Sequence, residues 1–124
     1  STKKINQSLE RGKTGEGLQI GESARAQVTL FKKQAQDIQP PEELKRYHTK
    51  IVDSFSYELK AMNAWFLGDQ QVYYQYHKRG AVAFIAAVEE QARVYRHLGA
   101  PSHVVEGLDR LVRRQKELLD ERYH

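Results

Sequence analysis

The chain reads as an all-α protein, an antiparallel up-down-up-down four-helix bundle preceded by a flexible Gly-rich N-terminal segment. Three observations predict this. Apolar residues recur at spacings of three and four along most of the chain, the period of one helix face. Short breaks rich in Gly and Pro cut that pattern into four stretches. Nowhere does the sequence show the strict alternation of a half-buried strand, so no strand is assigned. The chain has 124 residues, which fits one domain able to bury roughly two-thirds of its unfolded surface. Residues 1–16 form the expected arm and residues 17–124 the bundle.

The arm is assigned from RGKTGEGLQIGES, with Gly12, Gly15, Gly17 and Gly21. Each glycine costs a helix interior about 1 kcal/mol, so the segment reads as flexible or frayed, although Ile5 and Leu9 could form a short helical turn. The first bundle helix follows from Ile20, Ala24, Val28, Phe31, Ala35 and Ile38, which share one face. Gln39-Pro40-Pro41 ends it, because a proline drives the residue before it out of the helical region.

The second helix starts at Pro41, which needs no amide partner in a first turn, with Glu42 and Glu43 against the positive helix end. Its apolar face runs Leu44, His48, Ile51, Phe55, Leu59, Met62 and Phe66, with Tyr47, Val52 and Trp65 beside it. Gly68 closes this helix and Asp69 can cap the next. A connection that short makes the two helices neighbours. The third helix, Asp69 to about Leu98, carries two adjacent stripes. Tyr73, Tyr76, Gly80, Ala87 and Val94 lie on one; Tyr74, His77, Ala81, Ile85, Val88 and Ala92 lie on the other. So broad a face suits a helix that touches more than one neighbour. Gly99 and Pro101 end it, Ser102 can cap the fourth helix, and Val104, Val105, Leu108, Leu111, Val112, Leu118 and Leu119 supply the last buried side.

Composition excludes several chemistries. The absence of cysteine rules out disulfides, thiolate metal sites and a cysteine nucleophile. No apolar run reaches the roughly 18 to 20 residues that span a bilayer, and the opening STKKINQSLE has no apolar stretch of the signal-peptide kind. Mean hydropathy is −0.74, polar enough for a slender bundle. The net charge of +4 and pI of about 9.3 raise the question of nucleic acid. Half of that excess falls within residues 1–21, the helical segments are close to neutral, and no single stripe of Lys and Arg stands out, which disfavours a phosphate-binding face. Phosphate-loop, nucleophile-elbow and zinc-helix motifs are all missing.

The stretch DQQVYYQYHKRG concentrates polar aromatic chemistry. About Gly68, position 77 folds back to the level of 58 and 59, so Glu58 can meet His77 among tyrosine hydroxyls. Glu58, Tyr73, Tyr74, Tyr76 and His77 therefore form the candidate ligand-binding set, an acid–imidazole pair able to anchor a small molecule. The competing reading is a rim of amphipathic side chains around a thin core. Gly80 and Ser56 are expected at one level, where with Ala81 and Ala83 they let two helices approach or leave a slot for a ligand.

His48, between Leu44, Ile51 and Phe55, reads as a satisfied core or rim histidine. Of the histidines, only His124, with Glu121 three residues before it, fits the Glu-x-x-His spacing of helical di-metal sites, and that pair sits at a frayed terminus, so no metal and no cofactor is expected. His97 and His103 flank the turn HLGAPSH, where with Arg93 and Arg96 they could attract an anion or simply favour the helix dipole. The basic residues after Arg110 alternate with acids at helical spacing, the mark of a solvated face.

The phrase PPEELKRYHTKIVDSF, a long helix and a second turn at LGDQQ resemble uncharacterised extracytoplasmic helical-bundle domains, often tethered as bacterial lipoproteins. The resemblance covers roughly residues 30 to 98. It implies a cell-envelope location and a binding or interaction role, and carries over no functional residue. The leading expectation is accordingly a non-enzymatic interaction module that binds a protein partner or a second copy of itself. Trp65, Phe66 and Tyr74 are its candidate contact residues, as large aromatics near one bundle end. The alternative is a small-ligand or metal-binding bundle using the Tyr/His/Glu set.

Overall fold

A computed structural model describes residues 15–123 of the chain; residues 1–14, with most of the expected arm, and His124 lie outside the described residues. Four helices make a four-helix bundle, and no strand occurs among the described residues. They are α1 (Gly15–Asp37), α2 (Lys45–Phe66), α3 (Gln70–His97) and α4 (Ser102–Tyr123), with a short 3₁₀ turn, Glu42–Leu44, leading into α2.

The breaks follow local chemistry. Gly68 and Gly99 have φ of 81° and 74°, a left-handed conformation that only glycine adopts cheaply. Behind each, the next amide reaches back over the helix end, Asp69 N to Ala64 O at 3.0 Å and Ala100 N to Tyr95 O at 2.9 Å. These bonds satisfy carbonyls that the helix termini would otherwise leave bare. Asp69 caps α3, its Oδ1 accepting from Val72 N at 3.1 Å. Ser102 is the first helical residue of α4 rather than its cap, and Pro101 O accepts from Val104 N at 3.0 Å.

Packing is uneven. α2 and α3 form the central pair, α1 lies on α2, α4 lies on α3, and no comparable interface joins α1 to α4. The core follows α3, whose first stripe buries Tyr73, Gly80, Ala87 and Val94 and whose second buries Ile85, Val88 and Ala92. α4 buries only Val105.

Two glycines expected in or beside a frayed arm are instead the buried face of α1. Gly17 and Gly21 are its only fully buried residues, and a Cβ on Gly21 would come within 2.4 Å of the Trp65 indole. The propensity cost of these glycines is offset by the ring they let in. Phe31 and Ile38, expected inside, are 47% and 59% exposed. α1 half-buries Ile20, Ala24, Val28 and Ala35, sets Phe31 against Phe55 of α2, and adds polar contacts. Arg25 lies 4.3 Å over the Phe66 ring and donates to Asn63 Oδ1, and His48 Nε2 hydrogen-bonds Ala35 O. His48 is thus a satisfied rim histidine.

Between α2 and α3, Gly80 permits the close approach expected of it, but with other partners. A Cβ there would sit 3.4 Å from Tyr57 Cβ, and Ser54 Oγ donates to Gly80 O at 3.2 Å. Ser56 bonds back to Val52 O within its own helix. Gly107 meets nothing but the far end of Arg110, so it marks no close contact.

Candidate functional site

Three helices converge where the quoted tyrosine stretch begins. α2 supplies Glu58, α3 supplies Tyr73, Tyr74 and His77, and the last turn of α4 supplies Arg122 and Tyr123. Glu58 Oε1 lies 3.6 Å from His77 Nε2, too far for a hydrogen bond. Tyr123 Oη lies 3.2 Å from His77 Nδ1 and donates to Tyr74 O at 3.3 Å. Arg122 Nη1 approaches Nε2 at 3.1 Å and Nδ1 at 3.3 Å. With the Tyr123 hydroxyl donating to Tyr74 O, its oxygen is placed to accept from Nδ1–H when that nitrogen carries the proton, and Arg122 Nη1 lies close to both ring nitrogens.

Electrostatics favour a neutral ring. Burial pushes the Glu58 carboxyl up to about 7, against a smaller opposing pull from Arg122. Burial and then the Arg122 charge push His77 down to about 4. Near neutrality the imidazole is therefore uncharged and the carboxyl is half protonated, so the short Glu58–His77 separation is not a standing ion pair. Glu58 Oε2 is buried with no hydrogen-bond partner among the described residues, which is costly for a carboxylate and less so for an acid. Tyr73 is raised by its burial, then by Glu58, and Tyr123 chiefly by burial. Both remain phenols.

A cleft of about 560 Å³ opens beside this cluster between α3 and α4. His77, Arg122, Tyr123 and Gln115 are its polar lining and Ala81, Leu118 and Leu119 its apolar lining, with Glu121 the single acid there among the described residues. No group of three or more His, Asp or Glu able to hold a metal occurs among the described residues.

The chain matches no protein-family model, no curated protein and no solved structure. Its chemistry must be read from its own side chains.

Of the residues singled out in the sequence, Glu58, His77, Tyr73 and Tyr74 come together. Tyr73 and His77 have ring centroids 5.5 Å apart, and Tyr73 and Tyr74 meet edge to face at 5.1 Å. Tyr76 does not join them. It stacks on Tyr57 at 6.4 Å on another side of the α2–α3 pair, with Lys60 and Arg79 over its ring. Trp65 does not offer an exposed contact. It is 2% exposed, sealed by Gly21 and by Phe66, itself half-buried. Only Tyr74, 43% exposed, remains open of the three aromatic candidates. His97 and His103 are both exposed, and Arg96 is spoken for by Asp109 of α4. Arg122 and Tyr123 were missed. Their only sequence signal was polar-aromatic character in the last turn of an amphipathic helix, a place where fraying was expected.

Proposed function

We propose that this chain is a binding protein for a small carboxylate-bearing molecule, held in the cleft between α3 and α4. The observation that carries the reading is the convergence of Arg122, His77 and Tyr123 at one end of a cleft that Leu118, Leu119 and Ala81 line one helical turn away. Such a site offers hydrogen-bond donors to an acid headgroup and apolar surface to its body. Arg122 is exposed, and no carboxylate among the described residues forms an ion pair with it, so its remaining N–H groups are free for a ligand. Glu121 at the rim can take an ammonium group, which makes α-amino acids worth comparing with simple fatty acids.

Ionisation of Glu58 would place a negative charge near Arg122, so affinity for an anion is expected to fall as pH rises through about 7. Isothermal titration of butyrate and norvaline between pH 5.5 and 8.5 tests this. Expected are saturable binding, a loss of at least tenfold in Arg122→Gln, and a flattened pH profile in Glu58→Gln. Absence of saturable heat for both probes at every pH, with the His77 ring resonances unmoved, overturns the reading.

A further inference from the structure

A different face of the molecule carries charge that no single segment of the sequence reveals. Along the outer side of the α2–α3 pair runs a groove of about 570 Å³, with Tyr57, Val82, Ala83 and Ala86 as its apolar floor and Lys50, Lys78 and Arg79 on its rim. A second hollow of about 460 Å³ shares Lys50 and Asp53 with it and extends it past Arg46. Glu90, in that second hollow, is held by Arg93, and Lys45 is paired with Glu42. Arg46, Lys50, Lys78 and Arg79 form no ion pair among the described residues, and Asp53 is the one acid left unpaired along the groove. The described residues as a whole are within one charge of neutral. Positive charge is therefore concentrated here rather than spread.

We infer that this groove docks an acidic, amphipathic segment of a protein partner. Charge complementarity names the occupant's rim and the floor names its centre: carboxylates for Lys50, Lys78 and Arg79, and apolar side chains for the surface around Val82, which is half exposed. From Arg46 to Tyr57 the groove follows about 16 Å of helix, the length of a partner segment of three turns. Nucleic acid fits less well. Asp53 would face the phosphates, and the Tyr57 ring is stacked on Tyr76 instead of standing open for a base.

Fluorescence anisotropy tests the inference with three labelled probes: a 16-residue amphipathic helix of Leu and Glu, a scrambled peptide of equal composition, and a 16-nucleotide oligo-dT. The expected result is saturable binding of the amphipathic peptide, at least tenfold tighter than the scrambled one. It should weaken at least tenfold in Lys50→Glu/Arg79→Glu and several-fold in Val82→Ser; Arg79 and Val82 are exposed and Lys50 is half-buried at the groove, and helicity by circular dichroism should not change in either variant. The inference is overturned if the scrambled peptide binds equally, if oligo-dT binds more tightly, or if the charge reversal leaves binding intact. It is also overturned if sedimentation shows a dimer that the charge reversal dissociates, for then a second copy fills the groove.

Discussion

The two sides of the α2–α3 pair hold ionisable groups in opposite ways. On the outer side, Arg46, Lys78 and Arg79 are exposed and Lys50 is half-buried, with the Lys78 amine reaching towards the Tyr123 ring and the Arg79 guanidinium lying over Tyr76. On the inner side, at the junction with α4, Glu58 and His77 have lost most of their water and both tend towards neutrality. Ionisable groups thus supply long-range attraction on one face and a desolvated contact on the other. The residue types differ, and so does the cover: α4 packs over the inner groups, whose shifts follow first from burial.

The sharpest way to break this contrast is to compare mutational costs across the pair. Trp65→Ala removes a ring enclosed by Gly21, Phe66 and the Ala61–Ala64 surface, and should cost about 3–5 kcal/mol. Val82→Ser on the outer groove should change stability by no more than about 0.5 kcal/mol. Urea midpoints for both variants check this, and similar values would show that the interior is not where the structure puts it.

A finer comparison uses pH. Glu58 is raised from 4.5 to about 7, so its contribution to folding is complete below 4.5 and is lost as pH rises to 7. His77 is lowered from 6.5 to about 4, so its contribution is complete above 6.5 and is lost as pH falls to 4. Between 4.5 and 6.5 the two slopes oppose each other, and this pair should leave stability nearly level. Glu58→Gln unmasks His77 alone. Its stability should climb with pH from about 4 to 6.5, by on the order of 2 kcal/mol. Denaturant titrations at half-unit pH steps would show it, and parallel curves for the two proteins would sink the assignment of neutral partners.

Much of this architecture was legible in advance because local chemistry specifies it. Gly68, Asp69 and Gly99 announce where helices stop and start, and the short turn at Gly68 sets the register that brings Glu58 to His77. What stayed hidden depends on contacts between distant segments. Arg122 and Tyr123 reach His77 across 45 and 46 residues, and nothing local states how far along α3 the last turn of α4 will come to rest. Trp65 looked like a surface anchor because its cover is glycine, which carries no apolar signal of its own. The basic groove escaped for a geometric reason: charge was summed along each helix, while the groove gathers Lys50 from one helix and Lys78 and Arg79 from the next.

The glycine seat of α1 has a last consequence, for the order in which the molecule comes apart. A helix whose fully buried residues are glycines gives up less apolar area on leaving, and here the rest of its hold is an arginine, a histidine, the tilted Phe31–Phe55 contact and the half-buried Ile20, Ala24, Val28 and Ala35. α1 should therefore detach as a unit at a free energy well below global unfolding, while the α2–α3 pair stays intact. Amide protons of α1 should exchange first and together, ahead of those around Ala87 and Val94; simultaneous exchange in all four helices would refute it. Each such opening would bare Trp65, making the buried aromatic a surface that exists only part of the time.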